Sequence, residues 1–365
     1  MPQNQDNKIA VFHNYMDNIG GAEKVVLTLG ERLPADIYST VSNSEMISKM
    51  GFRKKINEIG WIPKNAPFRQ QLSSYRFSKL NLTKKYDNFI IAGDWAVSGA
   101  MKNKPNLWYV HSPIRELYDL NEYTRKTSVN PLLRPVFDFW ASYNRKLNKK
   151  HVANVQKILC NSKNTQKRVE KYLNRKATVV YPPIDTEKFL YKQNKGYWLS
   201  VNRLIDHKRI ELQLDAFRKL PEEKLIIIGA YEKSAHFQKY VKKIVENQPN
   251  NVEILNWVSE PMLREIYSEC KGFITTAKEE DFGMTAVEAM ASGKPVIAPS
   301  EGGYLETVTD GITGKLIDKI NGEKIELAIK EISKAPESFK KECIKQAKKF
   351  DSSVFIKKIR DEISF

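Results

Sequence analysis

The stretch Lys271–Ile297, KGFITTAKEEDFGMTAVEAMASGKPVI, decides the fold because it holds a complete strand, loop, helix, short turn and second strand. Phe273–Thr275 is a short β-prone run of the kind that is buried in a parallel sheet. Thr285–Ala291 is a helix-forming run, and the next strand begins at Pro295. Two buried strands joined by a helix predict an α/β protein with a parallel sheet.

The loop inside this stretch is a candidate anion site. Gly283 lets the backbone approach a ligand, and the helix that follows offers unpaired N–H groups to negative charge. Two carboxylates lie on either side of the junction between loop and helix, with Glu280 in the loop and Glu288 in the helix. Taken singly, each is more often structural, Glu280 as a helix-capping acid and Glu288 as a solvated surface charge.

The chain has 365 residues and a net charge of +17, and the excess is unevenly placed. Its length exceeds what a single core usually supports, which predicts two domains. Residues 51–185 hold 26 basic and 9 acidic side chains, whereas residues 186–365 hold 30 and 28. A surface so basic attracts nucleic acid, anionic lipid or a phosphorylated substrate.

Cysteine usage and hydropathy favour a cytoplasmic protein. Cys160, Cys270 and Cys343 are far apart and odd in number, so we expect buried, reduced thiols. The N-terminus is polar, and no run of about 18 apolar residues occurs, which disfavours export and membrane spanning.

Loops after the predicted strands carry the remaining candidates. Gly20 and Gly21 follow the first strand, where a ligand can come close to backbone, although a Gly-Gly pair is often only a turn. His111 stands at the end of the buried run LWYV, and His13 follows the first strand in the same way. Pro182-Pro183, at the point where the charge balance changes, predicts a domain boundary.

A second alternation of strands and helices follows this boundary, and its first loop contains Arg203 and Lys208. Two cations and the N–H groups at Gly283 can hold a diphosphate and stabilise its charge as a leaving group. Glu280 can accept hydrogen bonds from sugar hydroxyls, and Glu288 can reach ribose hydroxyls. These features together, at one sheet edge, favour a functional site over a structural explanation.

An apolar stripe recurs at helical spacing in Pro131–Val152, with lysines and an arginine among and after it. The stripe could face a membrane interface with basic anchors. More often such a stripe is core, and we favour core.

Several motifs match one family in the right order along nearly the whole chain: GGAE from Gly20, YPPID from Tyr181, RLIDHK from Arg203, EDFGMTAVE from Glu280 and the Gly302-Gly303 pair. This set resembles the retaining glycosyltransferases of family 4. The resemblance implies the GT-B fold, in which two Rossmann-like, doubly wound parallel-sheet domains face a central cleft. We expect residues 1–185 to bind the acceptor, residues 186–345 to bind a nucleotide-sugar donor, and residues 346–365 to form a terminal helix that returns to the first domain.

The resemblance also implies residue roles. Arg203 and Lys208 would bind the donor diphosphate, Glu280 would contact the transferred sugar and Glu288 would hold the ribose. His111 would lie beside the sugar. The remaining expected donor contacts are backbone groups, at Gly20, Gly21, Phe282, Gly283, Met284 and Thr285.

In the front-side mechanism favoured for this class, the leaving phosphate takes the acceptor's proton, so no side chain need be a general base. We therefore expect catalysis by Glu280, His111, Arg203 and Lys208 without a cofactor, and no metal, since the chain has no Asp-x-Asp pair.

The runs WYVHSPIRELYD and EEDFG are similar to the mannosyltransferase subgroup of polysaccharide and O-antigen lipopolysaccharide assembly. The similarity implies GDP-mannose as donor, a lipid-diphosphate-linked saccharide as acceptor, with Arg115 in the acceptor site, and peripheral attachment to an anionic membrane surface. Ala286 departs from the proline often found there, which leaves a UDP-hexose or UDP-N-acetylhexosamine donor as an alternative. Two other classes stay open, a GT-B nucleotide-sugar epimerase and a nucleic-acid-binding protein, although no nucleic acid is expected as a partner.

Overall fold

The structure, a computed structural model, describes residues 7–18, 20–64, 68–229 and 235–363, without the side chains of residues 235–237. The described chain divides into two compact units. Unit one comprises the residues up to Pro183 together with those from Phe355 onward, and unit two comprises Ile184–Val354. Each unit is built on one parallel sheet.

The sheet of unit one has seven strands: β1 (Ile9–Phe12), β2 (Asp36–Ser39), β3 (Ile56–Glu58), β4 (Asn88–Ile91), β5 (Asn106–Val110), β6 (Lys157–Cys160) and β7 (Thr178–Val179). Their order is β3-β2-β1-β4-β5-β6-β7, and every pair is parallel. β1, β4 and β5 are buried along their whole length. Apolar runs without alternation are typical of strands covered on both faces.

The helices of unit one are α1 (Gly21–Arg32), α2 (Ser44–Lys49), α3 (Phe68–Lys79), α4 (Asn121–Thr127), α5 (Arg134–Val152) and α6 (Lys163–Leu173). Short 3-10 helices occupy Ala96–Met101 and Pro131–Leu133. The core is aromatic near its centre, where the Phe12 ring lies 5.6 Å from Phe77 and 5.7 Å from Phe89.

The sheet of unit two has six strands: β8 (Tyr197–Val201), β9 (Lys224–Ile228), β10 (Val252–Leu255), β11 (Gly272–Ile274), β12 (Val296–Pro299) and β13 (Gly314–Ile317). The order is β10-β9-β8-β11-β12-β13, again parallel throughout. The prediction of two doubly wound parallel sheets is confirmed.

The helices of unit two are α7 (Ile210–Arg218), α8 (Ala235–Glu246), α9 (Glu260–Glu269), α10 (Met284–Ala291), α11 (Tyr304–Thr307), α12 (Gly322–Ile332) and α13 (Lys340–Lys348), and the last helix of the chain is α14 (Ser352–Ile363). Further 3-10 helices occupy Thr186–Lys188, Asp206–Lys208 and Pro336–Phe339. Trp198, Phe217 and Ile274 are among the fully buried residues of this unit's core.

Most of α14 packs within unit one, where the Phe355 ring lies 5.5 Å from Tyr109. Residues 346–354, assigned from sequence to the returning segment, instead lie in unit two. The reason is local packing: Gln346 donates to the Thr307 carbonyl at 3.0 Å, and the Phe350 ring lies 5.2 Å from Phe282. By its contacts, the chain passes from unit two to unit one after Val354, whereas the expected boundary lies at residue 345.

Two further expectations have clear outcomes. All three cysteines are buried and unbridged, as predicted. The apolar stripe of Pro131–Val152 is core only in part. Phe137 and Trp140 pack against a buried cluster that includes Ala141. Leu133, Val136 and Tyr143 are instead exposed.

Candidate active site

The predicted donor residues of unit two lie on the loops that follow β8 and β11. β8 and β11 are neighbours in the parallel sheet. The strands that follow β8 in the chain, β9 and β10, extend the sheet on one side, and β12 and β13, which follow β11, extend it on the other. In open α/β sheets, ligands bind at such a switch point, beyond the carboxyl ends of the strands. The loop after β8 carries Arg203 and Lys208, and the loop after β11 carries Glu280.

Lys208 and Glu280 form an ion pair at this edge. The Lys208 Nζ donates to Glu280 Oε2 at 2.5 Å, and both side chains are largely shielded from solvent. Burial alone would raise the pKa of Glu280, but Lys208, and after it His207 and Arg203, lower it overall. Glu280 is therefore a carboxylate, able to accept hydrogen bonds from hydroxyl groups.

Hydrogen bonds to backbone carbonyls hold the Lys208 loop against the Glu280 loop. Thr276 Oγ1 donates to the Lys208 carbonyl at 2.6 Å, and the Lys278 N–H donates to the His207 carbonyl at 2.8 Å. Arg209 adopts left-handed backbone with φ +52° and donates from Nε to the Thr276 carbonyl at 2.6 Å. These contacts fix the cation of one loop beside the acid of the other.

Arg209 is a site residue that the sequence analysis missed. Its guanidinium also donates to the Glu301 carboxylate, so it links the loops after β8, β11 and β12. Its place directly after Lys208 is visible in the sequence. The left-handed backbone of an arginine cannot be predicted from local sequence, because tertiary contacts maintain such strain.

Gly283 precedes α10 with φ +91°, a conformation that favours glycine. A Cβ there would lie 2.7 Å from the Tyr304 ring, and one at Gly302 would lie 2.6 Å from the Glu280 carbonyl. The Gly303 N–H donates to that same carbonyl at 2.8 Å. The glycine pair thus packs directly against the backbone that carries Glu280.

Glu288 lies on α10 and is buried, which corrects the alternative of a solvated helix charge. Its Oε2 accepts a hydrogen bond from the Tyr267 hydroxyl at 3.0 Å. Burial and this carboxylate raise the pKa of Tyr267 well above its usual value, so the hydroxyl stays a donor. Tyr267, on α9, was not identified from sequence, because the contact depends on how α9 packs against α10.

The other predicted donor contacts of unit two surround the start of α10. Met284 and Thr285 are its first two residues, and both are partly exposed. The first N–H groups of a helix have no partner within the helix and point toward an anion placed there. Phe282 is buried against Phe350, so only its backbone is suited to ligand contact. Arg203 is exposed and close enough to lower the pKa of Glu280.

Unit one presents its own cluster after β1, β4 and β5, which are adjacent strands. His13 Nε2 donates to Glu23 Oε1 at 3.0 Å, and Glu23 Oε2 accepts from the Gly20 N–H at 2.8 Å. Glu23 therefore ties His13 to the glycine loop. Gly20 and Gly21, at the start of α1, are exposed.

His111 follows β5 and lies beside His13, with ring centroids 6.4 Å apart. Burial, and secondarily His13, lowers the pKa of His111 to about 3, so its imidazole is neutral near pH 7. His111 Nε2 has no hydrogen-bond partner among the described residues. A neutral ring with one available nitrogen is suited to a hydrogen bond with a sugar hydroxyl.

Arg115, predicted to bind acceptor, pairs with Asp119 at 2.8 Å. Near it lies an acidic group that the sequence analysis did not identify, comprising Asp94 and Glu116. Burial raises the pKa of Asp94, and burial together with Asp94 raises the pKa of Glu116 to about 7.

Two family models match consecutive halves of the chain. Residues 19–188 match the model described as Glycosyltransferase Family 4, and residues 183–350 match the model described as Glycosyl transferases group 1. The chain belongs to glycosyltransferase family 4.

Relatives of this glycosyltransferase include an uncharacterized glycosyltransferase of Methanocaldococcus jannaschii, 30% identical over 49% of this chain and 50% of that protein. The alpha-1,3/1,6-mannosyltransferase ALG2 of Dictyostelium discoideum is 27% identical over 84% of this chain and 85% of its own length. The chain thus spans half of the first relative and most of the second.

A solved structure confirms the GT-B fold. HepE of Anabaena in complex with UDP-glucose superposes with a TM-score of 0.77 over 98% of this chain and 99% of that one, at 17% identity. Within the part of the glycosyltransferase that the structure describes, no group of three or more His, Cys, Asp or Glu side chains could hold a metal ion. None of its described helices is long and apolar enough to cross a bilayer.

Proposed function

We propose that this glycosyltransferase moves a hexose from a nucleotide-diphosphate sugar to a saccharide acceptor, with retention of anomeric configuration. The observation that carries the proposal is the Lys208–Glu280 pair, 2.5 Å apart at the carboxyl edge of the sheet. A cation for phosphate and an ionised acid for hydroxyls stand side by side there, as a nucleotide-sugar requires.

The diphosphate is held by positive charge and backbone amides. Lys208 and Arg203 supply the charge, and the N–H groups of Met284 and Thr285 at the start of α10 supply donors. These groups bind the leaving diphosphate most strongly as its charge develops, so they stabilise the transition state more than the bound donor.

The two carboxylates hold the two sugars of the donor. Glu280 accepts hydrogen bonds from hydroxyls of the transferred hexose, whereas Glu288 accepts them from the ribose. The Tyr267 hydroxyl orients Glu288 by donating to one carboxylate oxygen. His111 and the Gly20–Gly21 backbone remain predicted donor contacts from unit one.

In the reaction, the bond between the anomeric carbon and the diphosphate oxygen breaks, and a bond to the acceptor oxygen forms on the same face. The acceptor's proton passes to the departing phosphate oxygen. Glu280 stays ionised throughout and stabilises the positive charge that develops on the sugar.

The favoured donor is GDP-mannose, which the WYVHSPIRELYD and EEDFG runs and the similarity to a mannosyltransferase both support. A UDP-hexose is the alternative, since the structural neighbour from Anabaena binds UDP-glucose. The favoured acceptor is a lipid-diphosphate-linked saccharide at the cytoplasmic face of a membrane, in the synthesis of a cell-surface glycan such as O-antigen or capsule.

A donor screen tests the proposal. GDP-mannose, UDP-hexoses and UDP-N-acetylhexosamines are titrated into the protein, and hydrolysis and transfer are followed by chromatography. We expect one nucleotide class to bind and to release its sugar, with the product anomer determined by NMR matching the donor's. Epimerised sugar from donor alone, or an inverted product, would contradict the proposal.

A further inference from the structure

Unit one exposes an apolar stripe on one side of α5 and the 3-10 turn before it. The stripe consists of Leu132, Val136, Phe139 and Tyr143, whose exposed fractions run from 56% to 88%. They are spaced by four, three and four residues, so they line one flank of the helix. Soluble proteins rarely leave aligned large apolar side chains uncovered, and such a patch indicates an interaction surface.

The same flank becomes basic toward the end of the helix. Lys146 and Lys150 continue the spacing of the stripe and are exposed. On the opposite flank, Asp138 is already paired with Arg125 at 2.8 Å. The stripe therefore joins apolar surface to positive charge along one line.

A neighbouring helix adds aromatic residues. Gln71 on α3 donates to Asn144 on α5 at 3.0 Å, which places the two helices side by side. Phe68 and Tyr75, one turn before and after Gln71, are both exposed, and the Lys79 Nζ lies 5.3 Å from the Tyr75 ring centroid. Aromatic rings with flanking lysines are typical of protein surfaces that sit at the headgroup level of a bilayer.

We propose that the apolar stripe of α5, with Lys146 and Lys150, docks unit one onto an anionic lipid bilayer by inserting Val136 and Phe139 among the acyl chains. Charge complementarity selects this occupant: residues 51–185, which contain both helices, hold 26 basic and 9 acidic side chains. The inference rests on the proposed function in one respect, that a lipid-linked acceptor gives the docking its purpose.

The full chain is tested by flotation with vesicles of phosphatidylcholine alone or mixed with phosphatidylglycerol. The wild type is expected to bind the mixed vesicles and to be released by salt. Val136→Ser with Phe139→Ser should lower the binding constant at least about tenfold. Lys146→Gln with Lys150→Gln should lower it roughly 25-fold at low salt, about fivefold for each charge.

Matched variants on unit two serve as controls. Val245→Ser with Leu327→Ser removes exposed apolar groups, and Lys341→Gln with Lys348→Gln removes two exposed charges. Both control pairs should bind like the wild type. Equal loss in the controls would overturn the proposal, because it would show that binding depends on general surface character.

A fluorescent label tests insertion directly. The three native cysteines are buried, so Phe139→Cys can be labelled selectively with an environment-sensitive dye. Its emission should shift to shorter wavelength with anionic vesicles, whereas a dye at Leu327→Cys should not shift. No shift at either position would refute insertion.

Two outcomes separate this inference from others. If light scattering showed a dimer that Phe139→Ser dissociates, the stripe would be covered by a second copy and the proposal would be wrong. Vesicle binding through the stripe by a protein that transfers no sugar would support the docking and refute the proposed function. In a protein that does transfer, the stripe variants should keep full activity toward a water-soluble acceptor.

Discussion

Gly303→Ala is a direct test of how the site is held. The residue has ordinary backbone, φ −67°, so the substitution introduces no conformational strain. Its added Cβ would lie 2.4 Å from the Phe282 Cα and 2.7 Å from the carbonyl oxygens of Asp281 and Phe282, where ordinary contact begins at 3.4 Å. Because those neighbours are backbone, the loop carrying Glu280 must move by about 1 Å to restore ordinary contact. Displacements near 1 Å cost up to about a hundredfold in rate.

We therefore expect Gly303→Ala to lower kcat/KM for the donor between about tenfold and a hundredfold, or roughly 1.4–2.7 kcal/mol of transition-state stabilisation. The free energy of unfolding should fall by only about 1–3 kcal/mol. Steady-state kinetics with the donor found by the screen, and urea unfolding, measure the two effects.

Gly311→Ala is the matched control. This glycine has φ +70°, and no heavy atom lies within 4 Å of the position that a Cβ would take. Alanine should therefore cost about 1–2 kcal/mol of stability, through the left-handed backbone alone, and leave activity unchanged. Wild-type kcat/KM in Gly303→Ala would refute the argument that the glycine pair positions Glu280.

Further predictions concern Lys208, Tyr267 and His111. Lys208→Met removes the main charge that lowers the pKa of Glu280, so the acid limb of the pH profile of the residual kcat should move to higher pH. An acid limb that stays in place would contradict the ion pair. Tyr267→Phe should cost about 1 kcal/mol of stability and weaken nucleoside-diphosphate binding several-fold by calorimetry, whereas unchanged affinity would remove Tyr267 from the ribose site. Because the pKa of His111 is lowered from 6.5 to about 3, its contribution to the stability of the folded protein is fully present above pH 6.5 and is lost as the pH falls toward 3. His111→Phe should therefore flatten the dependence of the urea-unfolding midpoint on pH between 6.5 and 3. An unchanged dependence would count against a neutral buried imidazole.

The parts of the site that sequence predicts are those fixed by local pattern. Arg203, Lys208 and Glu280 follow two buried β-runs, and parallel strands bring their carboxyl ends to one edge. The helix after Gly283 is expected from Thr285 and begins at Met284. Strand, helix and loop order thus suffices to bring these charged groups together.

The parts that sequence does not predict depend on tertiary contacts. The left-handed Arg209 is stabilised by the Thr276 carbonyl, 67 positions away, and Glu288 is buried because α9 places Tyr267 beside it. The stripe of α5 shows a third case. Periodicity identifies the apolar positions of a helix, but the packing of the whole unit decides which of them are covered. The expectation of core therefore holds for Phe137 and Trp140 and fails for Val136 and Tyr143.

The most direct test of the central claim compares the wild type with Glu280→Ala, using GDP-mannose, the UDP-sugars and the free nucleoside diphosphates. The account predicts that the variant stays folded, binds the nucleoside diphosphate through Lys208 and Arg203, and loses transfer of the sugar. Unchanged turnover in Glu280→Ala would contradict the account, since the carboxylate at the centre of the site would then have no part in holding the transferred sugar.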